Sequence, residues 1–114
     1  MSTLTVTNIK ATGETASRAV SGVAAAWVNY DQTVPQIDDS QNVASVTDSG
    51  AGDSTINFAN NMSAATFGAT CGALTYNVAI NTITVSGSRM LTYSGGGTLT
   101  DYAFVGYTAV GDLA

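Results

Sequence analysis

Histidine is absent from this chain of 114 residues, cysteine and proline occur once each, and only three side chains are basic: Lys10, Arg18 and Arg89. Each shortage removes a class of function. Without histidine the chain lacks the usual general base near neutral pH and the commonest metal ligand. A single cysteine, Cys71, excludes an intrachain disulfide and an all-cysteine metal site. Three cations against eight carboxylates, a net charge of −5, leave nothing to replace the counterions of a phosphate backbone, so no nucleic-acid partner is expected. No apolar run approaches the roughly 20 residues of a membrane-spanning helix, and no membrane insertion is expected. The start, Met1-Ser2-Thr3-Leu4-Thr5-Val6, has no basic region followed by an apolar block, so synthesis in the cytoplasm without a secretory signal is expected.

What the chain does have is small and β-favouring: seventeen threonines, eleven serines and twelve glycines. Threonine and valine lose rotamer freedom in a helix and pack well on a pleated sheet, while spaced glycines supply turns. Leu4-Thr5-Val6-Thr7-Asn8-Ile9 alternates with period two and reads as a strand. Residues 11–21 are polar and read as a tether, giving an attachment segment at 1–21 and a domain at 22–114. Val23–Tyr30 reads as a strand, although its three alanines also suit a helix. Pro35 marks an edge or connection in Gln32–Ser40. Asn42–Asp48 and Ser54–Ala59 flank a five-residue glycine-bearing loop and read as a β-hairpin. Further short runs follow at Thr66–Ala73, Leu74–Ile80, Thr82–Ser86 and Arg89–Ser94, broken by Gly68, Gly72, Asn81 and Gly87-Ser88. Gly95-Gly96-Gly97 is a turn before closing strands in Thr98–Val110. Turn signals every 8 to 12 residues or so without a helical period predict an all-β antiparallel sandwich.

No catalytic constellation emerges, and neither an enzyme activity nor a cofactor is expected. Asp38 and Asp39 are adjacent, so on an extended chain they point to opposite faces, unlike the facing carboxyls of a glycosidase; a solvated loop beside Pro35 is the simpler reading. Asp48-Ser49-Gly50-Ala51-Gly52-Asp53 has oxygen ligands around glycines but lacks the distal Glu of a calcium loop, and turn chemistry accounts for it. No Gly-x-Ser-x-Gly elbow occurs. Cys71 lies among small apolar residues and reads as a buried hydrophobe. Trp27, Tyr30, Phe58 and Phe67 read as core or subunit-interface residues. Tyr93, Tyr102 and Tyr107, beside Asp101, are the residues that a receptor- or glycan-binding module would use for contact.

Three segments, taken in order, carry a resemblance. Ala26-Trp27-Val28-Asn29-Tyr30-Asp31 is similar to an opening "AWVNF(D/N)" strand. Residues 42–58, NVASVTDSGAGDSTINF, look like "NVSSITDNGTGDYTVNF" almost position by position. Met62–Phe67 sits where "MPDANY" stands, with Ser63 in place of proline. All three patterns belong to terminal domains of tailed-phage fibre and appendage proteins of a type common in marine phages. The likeness covers Ala26 to Phe67, and Cys71 to Thr98 matches nothing in it. The resemblance implies a non-enzymatic virion component, usually a homotrimer, with a β knob on a short N-terminal attachment to other virion proteins of tail or capsid. Leu4, Val6 and Ile9 are the attachment residues it suggests.

Overall fold

The computed structural model describes residues 2–10, 12–19, 23–74 and 77–114, with Arg18 as backbone only. The expected boundary between 21 and 22, part of the tether, and residues 75 and 76 of the Leu74–Ile80 run lie outside the described residues.

The chain is all-β, two four-stranded antiparallel sheets packed face to face, as its composition and periodicity predict. The first sheet has the order β4 (Gln36–Gln41), β3 (Ala24–Asp31), β10 (Val105–Val110), β7 (Gly68–Ala73). The second has the order β5 (Val43–Gly50), β6 (Asp53–Phe58), β9 (Gly87–Thr92), β8 (Val78–Thr84). A separate two-stranded ribbon, β1 (Asn8–Ile9) with β2 (Arg18–Ala19), precedes them.

The core comes from the four central strands. Period-two alternation sends Ala26, Val28 and Tyr30 of β3 and Val105, Tyr107 and Ala109 of β10 inward from one sheet. Ile56 and Phe58 of β6 and Met90 of β9 meet them from the other. Burying each large aliphatic side chain contributes about 1.5–3 kcal/mol. The Phe58 ring lies edge-on to Phe67, with centroids 5.7 Å apart, and tilted against Tyr107 at 6.4 Å. The Tyr107 hydroxyl hydrogen-bonds Ser88 across the two sheets.

Several sequence expectations need correction. The strand expected over Leu4–Ile9 is regular only at Asn8–Ile9, and the tether folds back on it, pairing Asn8 with Ala19 and Ile9 with Arg18. Asp38 and Asp39 lie in edge strand β4, not a loop; Pro35 closes the turn before it. The β5–β6 connection is the two-residue turn Ala51–Gly52, tightened by positive φ at Gly50 and Gly52. Thr82–Ser86 is not a separate strand: β8 runs through Asn81, where its register with β9 shifts. Gly87-Ser88 opens β9, just after the turn at Val85-Ser86. A Cβ on Gly87 would collide with the Ile56 carbonyl of β6, so the glycine permits close strand approach and does not mark a turn.

Candidate functional site

β3 runs about 25 Å from one end of the sandwich to the other, and the two ends differ in construction. At its start, Val23 and Ala25 meet Val6 and Ala19 of the N-terminal arm and Asp112 and Leu113 of the closing segment. Together they enclose an open groove of about 620 Å³. The arm reaches this groove because β1 and β2 pair only with each other among the described strands, leaving Leu4 85% exposed ahead of them.

At the far end, β3 runs into Gln32, which continues the inward series Ala26, Val28, Tyr30 and is 2% exposed. Its Nε2 donates to Ser54 Oγ at 3.2 Å, its Oε1 accepts from the Tyr102 backbone N–H at 3.0 Å, and its own N–H donates to the Tyr102 carbonyl at 2.9 Å. The Thr92 hydroxyl lies 3.0 Å from Gln32 Oε1 and 2.7 Å from the Thr100 carbonyl, and its single proton serves one of them at a time. Asp101 Oδ1 accepts the Gly52 N–H at 2.7 Å, and the Gly52 carbonyl accepts the Thr92 N–H at 2.9 Å. The Tyr102 hydroxyl donates to the Tyr93 carbonyl at 2.9 Å. The long connection between β9 and β10 is therefore lashed to the β3–β4 and β5–β6 turns by buried or half-buried polar groups.

The expected contact residues divide. Tyr93, Asp101 and Tyr102 do lie together in this connection, where Asp101 ties it to the Gly52 N–H and Tyr102 to the Tyr93 carbonyl. Tyr107 does not join them. It is an inward residue of β10, 2% exposed, and its burial pushes the phenol pKa above its usual value; as a receptor contact it is corrected to a core residue. Tyr30 and Phe58 are buried, and Phe67 packs half-buried against them. Trp27 falls on the outward face of β3, so it is not core; its indole N–H donates to Gln41 Oε1 at 3.0 Å. Leu4, Val6 and Ile9 are exposed, and Val6 lines the groove. Cys71 is half-buried opposite Tyr107, and burial raises its pKa. Sequence reading missed Gln32, although its place in the β3 alternation was a visible signal.

The carboxylates that suggested metal or catalysis have other partners: Asp38 Oδ1 accepts from Gln36 Nε2 at 3.3 Å and Asp39 Oδ1 from the Ser40 N–H at 2.9 Å. Asp48 Oδ1 accepts the Gly50 N–H at 3.1 Å within the turn. Asp53 pairs with Arg89, which holds its carboxyl below the usual range. Asp31 is held low by the Thr33 hydroxyl.

The distribution of apolar surface follows the same polarity. Every exposed large hydrophobic among the described residues belongs to one end or the other. Leu4, Val6, Ile9, Val23, Val85, Val110 and Leu113 lie on the arm or at the end that carries it. Val34, Leu74, Leu99 and Phe104 lie at the opposite end. Among known protein families, curated proteins and solved structures, none matches the chain.

Proposed function

We propose that this protein is a non-enzymatic structural component of a tailed-phage virion: a short oligomeric appendage, built as a homotrimer, on the tail or capsid surface. The observation that carries the reading is the separation of exposed apolar surface to the two ends of a β-sandwich, with a hairpin arm at one end and a tied-down loop at the other. A piece that must join a particle and project from it requires two unlike ends. The resemblance of residues 26–67 to phage appendage segments supports the same reading, and so does an acidic chain poorly suited to cling to nucleic acid. In this reading the arm, through Leu4, Val6 and Ile9, engages other virion proteins. A capsid decoration or cement protein is the same reading with a different address.

The test is to label the protein on intact particles, locate it by electron microscopy, and repeat with residues 1–21 deleted. The expected result is a discrete position on the particle that the deletion empties while the domain stays folded. Retention after deletion removes the role of the arm, and absence from particles removes the reading.

A second reading, adhesion to a host glycan or receptor, is favoured by the exposed Val34, Leu74, Leu99 and Phe104 at the far end. Binding of purified protein to a glycan array or to host cells, lost on Phe104→Ala, is its expected signature.

A further inference from the structure

We propose that the side of the sandwich formed by the outer edges of β7 and β8 is where this chain binds a second copy of itself, edge strand against edge strand. The proposal deepens the oligomeric reading above and rests on it for self-association alone.

The two sides of the sandwich are protected very differently. On one, edge strands β4 and β5 carry Asp38, Asp39 and Asp48, with Pro35 just ahead of β4. The pairing of β4 with β3 and of β5 with β6 is interrupted by register shifts. Charge, proline and irregular pairing are the usual means of preventing an edge from adding a foreign strand. On the other side, β7 and β8 are also edge strands, yet neither contains a charged residue or a proline. All six residues of β7 pair with β10 without a shift, and β8 has one shift against β9, between Ile80 and Thr82, so the contrast between the sides rests on charge and proline. Among the described residues, neither β7 nor β8 makes a backbone hydrogen bond outside its own sheet.

Charge distribution then selects the partner. Residues 54–88 contain no Asp, Glu, Lys or Arg, so all eight carboxylates of this −5 chain lie elsewhere. Two copies repel one another over most orientations, and least when these uncharged edges face each other. The nearest charges on the second sheet, Arg89 and Asp53, neutralise each other on β9 and β6. Shape agrees: β7 carries only small side chains, Gly68, Ala69, Thr70, Cys71, Gly72 and Ala73, so no bulky group overhangs its edge. A partner strand can therefore approach to hydrogen-bonding distance, about 4.8 Å between strand axes, and extend the sheet across the contact.

The experiment measures solution mass by light scattering or sedimentation across a range of protein concentrations, for the wild type and two double variants. Thr70→Lys with Ala79→Lys places two cations on the uncharged side. Gln36→Lys with Ala44→Lys places the same two on the guarded side, at exposed positions. The expected result is an oligomeric wild type and guarded-side variant, and a β7–β8 variant reduced to the 11.5 kDa monomer. Amide hydrogen exchange on the wild type supplies a readout that needs no variant: amides of β7 gain protection as concentration rises, and those of β4 do not. A wild type that stays monomeric, a β7–β8 variant that is folded and keeps its mass, or loss of mass in both variants overturns the proposal. An oligomer indifferent to the β7–β8 lysines sinks this edge and leaves the appendage reading standing. A β7–β8 oligomer absent from particles does the reverse.

Discussion

Asp53 and Arg89 form a two-pronged ion pair between neighbouring strands: Arg89 Nε donates to Asp53 Oδ1 at 2.9 Å and Nη2 donates to Oδ2 at 2.7 Å. The hydrogen bonds from Arg89, with its charge, hold the Asp53 pKa below the ordinary 3.8. A depressed carboxylate stabilises the fold fully above its unfolded value, and the contribution disappears as pH falls through the folded one. Wild-type Tm is therefore expected to drop more steeply than that of Asp53→Asn between about pH 4 and about pH 2. Asp31, also held low, titrates in both proteins and cancels from the comparison. Thermal melts followed by circular dichroism check this, and parallel slopes for the two proteins would refute it. At this scale the sequence is only partly legible. Alternation marks Tyr30 and Phe58 as inward, but nothing local distinguishes Tyr107, deep between the sheets, from Tyr102 five residues earlier. Gly87 looks like punctuation because the carbonyl that requires it, on Ile56, is thirty-one positions away in the chain.

Among the elements, the β5–β6 hairpin is the most legible, because its turn chemistry and both alternating runs are contiguous. β4 is hidden: Pro35 and the paired aspartates suggest a loop, and only hydrogen bonding to β3 makes the segment a strand. The same dependence on distant partners governs the connection between β9 and β10, whose order rests on Gln32. Gln32→Ala removes the donor to Ser54 Oγ and the acceptor of the Tyr102 N–H, while Thr92 keeps the Thr100 carbonyl, a loss of about 2 kcal/mol. The expected outcome is a lowered urea midpoint with faster hydrogen exchange at the Tyr102 amide. An unchanged midpoint would mean that the connection is held from elsewhere.

For the molecule as a whole, 46 Å long and 28 by 24 Å across, the prediction concerns where it yields. Trypsin cuts after Lys and Arg, and the three such residues are divided between arm and body: Lys10 and Arg18 in the hairpin arm, Arg89 within a central strand. Limited digestion is expected to cut at Lys10 and Arg18 while sparing Arg89, since cleavage requires local unfolding and the arm belongs to neither large sheet. Mass spectrometry of the fragments reads the outcome directly; equal cutting at Arg89 would show the body to be no firmer than the arm.

The placing of β10 between β3 and β7 carries a consequence for biosynthesis. The sheet made of β5, β6, β9 and β8 is complete in the nascent polypeptide once residue 92 has left the ribosome. The other sheet lacks its middle until residues 105–110 emerge. Until then β3, with its buried Val28 and Tyr30, must wait with one edge unpaired for a strand that arrives some seventy-five residues later. Such delayed closure is the interval in which chaperones, or neighbouring copies on the same polysome, meet this chain.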